Sequence, residues 1–266
     1  MIEIKDLKKV YNNILVVNVP QLSIRKGESV GLVGNNGAGK TTLFRMMLDL
    51  IRPEQGEVTS NDEHVAGGEN WKNYTASYLD EGFLIDYLTP EEYFYFIGGL
   101  YQQSRAHVDD FLAGLSDFFN GEILKKGKYI RDLSKGNQSK VGIASCLLQN
   151  PELLMLDEPF ANIDPTTQFR LKNMLKDVKK KGVTTLVSSH DLNHITDVCD
   201  RILLMEKGRI IKDMATSSST LSELEEYFAK LLFRAQVEPP KNRVVQIFSN
   251  GKPVRIKSVK VEFEER

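Results

Sequence analysis

The 266-residue sequence contains only two cysteines, one tryptophan and no long run of apolar residues. Two cysteines without partner spacing exclude the disulfide framework of a small secreted protein and are typical of a reducing compartment. No stretch approaches the roughly 18 consecutive apolar residues that a membrane-spanning helix needs. Residues 1–6 also lack the basic flank and apolar run of a signal peptide. We therefore expect a cytoplasmic protein.

Neither sign of charge dominates the sequence. The 35 basic and 36 acidic residues give a net charge of -1, so the chain lacks the strong basic character of a dedicated nucleic-acid-binding protein. We expect no nucleic-acid partner. Hydrophobic residues make up 41% and charged residues 27% of the chain, which is typical of a globular protein of one or two domains.

Short apolar runs alternate with amphipathic segments along most of the chain. The patterns predict strands at residues 2–4, 14–17, 30–33, 153–156, 183–188 and 202–205, and helices at residues 40–50 and 165–181. A run that is apolar throughout, such as residues 153–156, is typical of a parallel strand that is covered on both faces. We therefore expect an α/β fold with a mostly parallel sheet and N-terminal antiparallel strands.

Two segments depart from this alternation. Residues from about 84 to 150 carry apolar side chains at helical spacing without a strand pattern, and this predicts an inserted helical subdomain. Near the C-terminus, Ser249-Asn250-Gly251 separates two alternating runs, which predicts a β-hairpin at about residues 243–263. We divide the chain into a domain of residues 1–235 and an extension of residues 236–266 that contains a linker and this hairpin.

A glycine-rich loop follows the predicted strand at residues 30–33. Its sequence is Gly34-Asn35-Asn36-Gly37-Ala38-Gly39-Lys40-Thr41, followed by Thr42. The pattern G-x-x-x-x-G-K-[ST] between a strand and a helix is typical of a phosphate-binding loop, because its backbone N–H groups and the helix N-terminus attract anions. We expect Lys40 to reach the β- and γ-phosphates of a nucleotide and Thr41 to ligate Mg²⁺.

Acidic and imidazole side chains follow two other predicted strands. Asp157 and Glu158 end the strand at residues 153–156, and His190 follows the strand at residues 183–188. Carboxyl ends of parallel strands meet at one edge of a sheet, where ligands bind. We expect Asp157 to hold Mg²⁺ through water and Glu158 to activate the attacking water as a general base or orienting group. From its position alone, His190 is as readily structural as functional.

The segment Leu133-Ser134-Lys135-Gly136-Asn137-Gln138 begins about 24 residues before Asp157 and precedes a helix that we predict at residues 139–148. The segment resembles the signature motif of ABC transporters. Together with the phosphate loop, it makes the chain similar to the ATP-binding subunits of that family, from residue 1 to about residue 233. Within that family the chain is most similar to single-cassette subunits of bacterial exporters. The resemblance implies a P-loop NTPase fold of the RecA-like type that binds ATP and Mg²⁺ and hydrolyses ATP to drive transport.

The resemblance also implies roles for further residues. Tyr11 would stack on adenine, and His190 would be the switch histidine that touches the γ-phosphate. Ser134, Lys135, Gly136 and Asn137 would act on the ATP of a second cassette. Ala161-Asn162-Ile163-Asp164 would be the D-loop along the dimer seam. The implied partners are a second copy of the chain, or a homologous cassette, and an integral membrane permease, which would hold the protein at the inner face of the cell membrane.

The sequence departs from the family pattern at two places. Lys135 replaces the first glycine and Asn137 the glutamine of the usual Leu-Ser-Gly-Gly-Gln, but Ser134 and Gly136 remain, so we expect function to persist. The Q-loop position falls on Asp80 or Glu81, depending on the direction of the alignment. In both cases a carboxylate replaces a neutral amide, which would make its Mg²⁺ contact more ionic.

Two other function classes and one open assignment accompany this interpretation. The chain could be a non-transport nucleotide switch, although it has one cassette and lacks the coiled coils of DNA-repair members. It could also be a regulatory ATP-binding module that hydrolyses weakly because of its altered signature. The aromatic residues 93–96 could form the floor of a permease-docking groove or the core of the helical subdomain.

Overall fold

The computed structural model describes residues 1–79, 84–224 and 226–227, together with the backbone of residues 247–249 and 252–254. The chain divides into two compact units, Met1–Leu221 and Ser222–Arg266. The predicted boundary between residues 235 and 236 lies outside the described residues and stays a prediction. Within the described part of the chain, each helix is too short or too polar to cross a membrane.

The secondary structure alternates between strands and helices, as the sequence predicts. The strands are β1 (Ile2–Tyr11), β2 (Ile14–Ile24), β3 (Ser29–Val33), β4 (Gln55–Ser60), β5 (Glu63–His64), β6 (Thr75–Tyr78), β7 (Leu153–Asp157), β8 (Thr184–Ser189), β9 (Arg201–Glu206), β10 (Arg209–Ala215), β11 (Ile247–Ser249) and β12 (Lys252–Val254). The helices are α1 (Lys40–Met47), α2 (Pro90–Leu100), α3 (Arg105–Gly114), α4 (Ser116–Phe119), α5 (Lys135–Leu148), α6 (Pro165–Lys180) and α7 (Leu192–Val198). Residues 220–224 are also helical.

The N-terminal strands form an antiparallel sheet in the order β2-β1-β4-β5. Strands β1 and β2 are much longer than predicted and are joined at Asn12 and Asn13, which both have positive φ angles, of 49° and 62°. Two successive residues in this conformation turn the chain tightly into a hairpin. Strand β4 was missed because its sequence, Gln-Gly-Glu-Val-Thr-Ser, contains only one large apolar residue.

The central sheet has the order β10-β9-β3-β8-β7-β6. Neighbours from β9 to β6 pair in parallel, and β10 is an antiparallel edge strand. The prediction of a mostly parallel sheet is therefore confirmed. All residues of β3, β7 and β8 are buried, as expected for strands covered on both faces. Their carboxyl ends lie side by side at one edge of the sheet.

Between β6 and β7, the described residues form helices and no strand, as predicted for an inserted helical segment. Helix α2 begins at a capping box, in which the Thr89 side chain accepts from the backbone N–H of Glu92 and the Glu92 side chain accepts from that of Thr89. Its Phe94 is fully buried, and the ring lies 5.9 Å from that of Phe119. Tyr93 is buried as well, whereas Phe96 is 46% exposed. The core interpretation of residues 93–96 is thus right for Tyr93 and Phe94.

Capping residues set the ends of the helices that flank β7. Helix α5 begins four residues earlier than predicted, because the Ser134 side chain accepts a hydrogen bond from the backbone N–H of Asn137 and so caps the helix. Helix α6 begins at the predicted place, where the Asp164 side chain accepts from the backbone N–H of Thr167 at 3.0 Å. Basic residues end α6, where they complement the negative end of the helix dipole.

In the second unit, β11 and β12 pair antiparallel, and the predicted Ser249-Asn250-Gly251 turn lies between them in the sequence. The pair of Ile247 with Val254 ends the ladder that is described. This pairing agrees with the predicted hairpin. The remainder of the predicted span, residues 243–263, lies outside the described residues.

Candidate functional site

The glycine-rich loop joins the end of β3 to the start of α1, as the sequence predicts. Gly37 has a φ of 81°, and a β-carbon placed there would meet nothing within 4 Å. Glycine is therefore favoured at this position by the backbone conformation rather than by crowding. Lys40 is the first residue of α1, and its ammonium group donates a hydrogen bond to the carbonyl oxygen of Gly34 at 2.6 Å. The loop thus curves around its own lysine.

A cavity opens on this loop. Its lining consists of Val16, Asn36, Gly37, Ala38, Gly39, Lys40, Thr41, Thr42 and Glu158. Most of the predicted phosphate-binding residues therefore face one space. Tyr11 does not belong to this lining. It lies at the end of β1, is 44% exposed, and has the ammonium group of Lys9 at 5.1 Å from its ring centre. Its predicted role in adenine stacking stays a prediction.

The turn between β9 and β10 forms a hydrogen bond with the glycine-rich loop. The backbone N–H of Gly208 donates to the carbonyl oxygen of Ala38 at 2.8 Å, and the carbonyl oxygen of Gly208 accepts from the N–H of Asn18 at 2.7 Å. The turn therefore ties the loop to β2. Sequence reasoning missed Gly208, as it missed Val16. The dipeptide Lys207-Gly208 indicates a turn, but not what the turn contacts.

Thr41 and Asp157 meet beside the loop, as predicted for two ligands of Mg²⁺. The Thr41 hydroxyl donates a hydrogen bond to Asp157 Oδ2 at 2.5 Å, and the Ser188 hydroxyl donates to Oδ1. Asp157 is only 6% exposed. Burial raises the pKa of Asp157 above its ordinary value, although both hydrogen bonds act in the opposite direction. A buried carboxylate beside a hydroxyl presents the hard oxygen donors that Mg²⁺ prefers, so these residues fit the ion.

Ser188 was not predicted, although it contacts both acidic residues. Besides its bond to Asp157, the Ser188 hydroxyl accepts a hydrogen bond from the backbone N–H of Glu158 at 3.0 Å. Asp157 and Ser188 are partners in the parallel register of β7 and β8. The available signal was that the predicted strand at residues 183–188 ends at this serine, but the partner of Ser188 depends on the strand register.

Glu158 lies between Lys40 and His190. Its Oε1 is 3.1 Å from Lys40 Nζ, and its Oε2 is 2.9 Å from His190 Nδ1. The backbone N–H of His190 also donates to Oε2, at 3.3 Å. Glu158 has a positive φ of 49°, which is uncommon for a residue other than glycine. The structure therefore brings together the three residues that were predicted to be catalytic.

The signature segment lies outside the cavity lining. Ser134, Lys135 and Asn137 are exposed or half-buried at the start of α5, whereas Gly136 is buried. A β-carbon on Gly136 would lie 2.3 Å from the carbonyl oxygen of Asn162. The nearly buried ammonium group of Lys140, one turn further along α5, lies 3.9 Å from Asp164 Oδ2. The start of α5 thus packs directly against residues 162–164 of the predicted D-loop.

The alternative Q-loop residues, Asp80 and Glu81, lie outside the described residues, and the choice between them stays open. The residue two positions before Asp80 is described. The Tyr78 hydroxyl donates a hydrogen bond to Ser139 Oγ at 3.1 Å, and a β-carbon on Gly142 would lie 2.4 Å from the Tyr78 ring. The strand that leads to the predicted Q-loop is therefore fastened to α5.

Asp157→Asn should stabilise the nucleotide-free protein at pH 7. A pKa raised above the ordinary value of 3.8 means that the folded state disfavours the charged carboxylate. The corresponding stability is fully present below the ordinary pKa and is lost as the pH rises through the pKa of the folded state. Asparagine carries no charge and can still accept a hydrogen bond. Urea unfolding at pH 7 without nucleotide or metal should give a higher midpoint for the variant.

Asp164→Asn is a matched control with the opposite sign. Hydrogen bonds from Thr167 lower the pKa of Asp164, so its negative charge favours the folded state at pH 7. This substitution should lower the unfolding midpoint, because it removes that charge. The decrease should be small, because asparagine also caps helices well. A lower midpoint for Asp157→Asn at pH 7 would contradict the interpretation of the buried carboxylate.

Comparisons with known proteins identify the family to which this fold belongs. The ABC transporter family model matches residues 17–161. Among solved structures, an ATP-binding subunit of an ABC transporter is 28% identical, with 87% of this chain and 99% of that chain covered at a TM-score of 0.76. The fold is therefore that of a known family.

Two curated relatives are similar to this chain at equal identity. The lipopolysaccharide export system ATP-binding protein LptB of Haemophilus influenzae is 32% identical, with 78% of this chain and 87% of that protein covered. The methionine import ATP-binding protein MetN of Carboxydothermus hydrogenoformans is 32% identical, with 80% of this chain and 66% of that protein covered. The chain spans 62 to 66% of the length of the first curated relatives that it matches. The chain belongs to the ABC transporter family of ATPases, as an ATP-binding subunit.

Proposed function

We propose that this chain hydrolyses Mg-ATP between two cassettes that associate head to tail, and that hydrolysis drives an integral membrane permease. The second cassette is another copy of the chain or a homologue. One observation carries the proposal. Lys40, Thr41 and Glu158 line one cavity, whereas Ser134 and Gly136 lie outside its lining. A γ-phosphate bound by this cavity would therefore meet the signature segment of a second cassette.

Each of the functional residues around the cavity would have a separate role in hydrolysis. Lys40 would bind the β- and γ-phosphates. Thr41 and Asp157 would hold Mg²⁺, which neutralises phosphate charge when bound. Glu158 would orient the attacking water and accept its proton. His190 contacts Glu158 through Nδ1, which leaves its Nε2 for a γ-phosphate oxygen.

The start of α5 has the properties of the second half of such a site. Ser134 accepts a hydrogen bond from the N–H of Asn137, so the Ser134 hydroxyl proton remains for donation to a phosphate oxygen. The helix N-terminus adds backbone N–H groups and a partial positive charge. Because Gly136 packs against Asn162, the signature segment and the D-loop would move together when the cassettes associate. Loss of the γ-phosphate would then weaken the association.

We further propose export as the direction of transport. The export relative LptB is matched over 87% of its length, whereas the import relative MetN is matched over 66% of its length. The match to LptB over most of that protein supports the export assignment. The protein would lie on the cytoplasmic face of the cell membrane through its permease.

An exposed aromatic cluster in the helical segment is the proposed docking surface for the permease. The guanidinium group of Arg131 lies 4.5 Å from the ring centre of Tyr87 and 5.5 Å from that of Tyr129. Tyr87 is 69% exposed and Tyr129 is 44% exposed. Tyrosine and arginine are enriched at the energetic centres of protein interfaces. This cluster replaces residues 93–96, one of whose two interpretations was a docking floor, because Tyr93 and Phe94 are buried.

Glu158→Gln should leave ATP binding intact and lower turnover by about 10²–10⁴-fold, the usual contribution of a general base. Because the trapped triphosphate would keep the cassettes together, the variant should form a dimer with ATP and Mg²⁺. Phosphate release and light scattering after gel filtration measure the two effects. Glu152→Gln is the control, since Glu152 is an exposed residue paired with Lys26. Normal phosphate release by Glu158→Gln would refute the assignment.

Mixing two inactive variants tests whether the site is shared between copies. Lys40→Ala and Ser134→Arg should each abolish turnover. A mixed dimer has one site with both residues intact, so an equal mixture should recover roughly a quarter of the parent rate if copies exchange at random in a symmetric dimer. ATPase measurement on the mixture and on each variant checks this. A mixture no more active than its components would contradict a shared site.

Tyr87→Ser should weaken binding to the permease without changing the ATPase rate of the isolated subunit, because Tyr87 lies outside the cavity lining. Phe169→Ser is the matched control, since Phe169 is an aromatic residue of similar exposure, 64%, on α6. Co-purification with the detergent-solubilised permease measures binding. Equal retention of the permease by Tyr87→Ser and Phe169→Ser would exclude this docking surface.

A further inference from the structure

We infer that His194 is a positioning residue for ATP hydrolysis, which holds the segment that carries His190 against the loop that carries Glu158. The inference rests on the proposed function of Glu158 and His190. It concerns a residue that lies outside the cavity lining and would touch neither ATP nor the attacking water.

Two contacts join the same two segments of the chain. The first is between the side chains of Glu158 and His190, at 2.9 Å. The second is between the rings of Phe160 and His194, which stack with centroids 4.5 Å apart and an interplanar angle of 28°. Phe160 follows Glu158 by two residues, and His194 follows His190 by four. The stacked rings therefore lie close to the proposed catalytic pair along both segments.

Packing, rather than hydrogen bonding, holds the His194 ring. Its Nδ1 is buried without a hydrogen-bond partner, and its Nε2 is 3.5 Å from Asp191 Oδ2. Burial lowers the pKa of His194, so the ring is neutral at pH 7. A neutral ring with so few polar contacts acts mainly as a flat apolar surface. A phenylalanine at this position should therefore reproduce its function.

Helix α7 is short, with only seven residues, so each contact that it makes contributes to its orientation. Ile195 is fully buried and packs over Gly31 of β3, where a β-carbon would lie 2.0 Å from Ile195 Cγ2. This contact sets the distance of α7 from the sheet. The stack of His194 on Phe160 is a second contact on a neighbouring side of the helix, and two such contacts together oppose rotation of α7 about its axis.

Phe160 is held in a fixed position by burial and by a hydrogen bond to its backbone. Its side chain is 3% exposed, and its carbonyl oxygen accepts a hydrogen bond from Gln168 Nε2 of α6 at 3.0 Å. If the ring at position 194 is removed, α7 can rotate against this support and displace His190 from Glu158. Displacements of about 1 Å at a catalytic group can cost roughly 10²-fold in rate.

Substitutions at position 194 test the inference by separating turnover from ATP binding. His194→Gln fills similar space without a ring, and it should lower kcat about 10-fold while KM for ATP stays within about twofold, since the phosphate loop is untouched. His194→Phe should keep kcat within about threefold of the parent. Phe160→Leu should lower kcat like His194→Gln, and the double variant should lose little more, because both remove one interaction.

His107→Ala is the control for loss of a histidine, since His107 is an exposed residue of α3. A melting temperature for each variant verifies that it is folded under assay conditions. The inference is overturned if kcat of His194→Gln stays within twofold of the parent, if its KM rises as much as kcat falls, or if His194→Phe is as impaired as His194→Gln. Failure of the proposed function would appear instead in the parent protein, as an absence of ATP hydrolysis or as normal turnover by Glu158→Gln.

Discussion

The parallel pairing of β3, β8 and β7 is the constraint on which the site depends. In this register Val33 lies beside Ser189, and Ser188 beside Asp157. The three strands therefore end at the same level, and the segments that follow them emerge at one edge of the sheet. The phosphate loop follows β3, His190 follows β8, and the acidic pair consists of the last residue of β7 and the residue after it. Residues more than a hundred positions apart in sequence come within hydrogen-bonding distance because backbone hydrogen bonds align the strand ends.

This arrangement has an energetic cost that is concentrated at Asp157. Its carboxylate is nearly buried, and the hydroxyls of Thr41 and Ser188 solvate it only in part, so its pKa is raised. A charged carboxylate in such surroundings lowers the stability of the nucleotide-free fold, and it favours the binding of a cation. Residues arranged for function commonly lower stability in this way. The same edge of the sheet holds Glu158 in a backbone conformation that few residues adopt.

The two halves of the proposed composite site are connected within one chain. Gly136 packs against Asn162, and Lys140 lies near Asp164, so the start of α5 rests on the segment that follows Glu158. Tyr78 fastens the strand before the predicted Q-loop to the same helix. A displacement of Glu158 on binding or loss of the γ-phosphate would therefore be transmitted through directly packed residues to the surface that contacts a second cassette.

Local patterns in the sequence identified most of the residues that line the cavity. The phosphate loop, the acidic pair after an apolar strand and the cap of α6 at Asp164 are contiguous motifs, and their chemistry depends on neighbours in the chain. Strands β6 and β10 were missed, because a four-residue strand and an edge strand without fully buried residues have weak patterns. The start of α5 was placed four residues late, since its cap is a single serine.

Only the tertiary structure decided which distant residues these motifs contact. Ser188, Gly208 and Val16 contribute to the site through strand register and turn packing, and neither leaves a periodic signal in the sequence. The stack of His194 on Phe160 and the contact of Gly136 with Asn162 likewise join segments whose separation in sequence is unrelated to their distance in space. The chemistry of the site is thus encoded locally, whereas its geometry arises from non-local packing of the sheet and the helices around it.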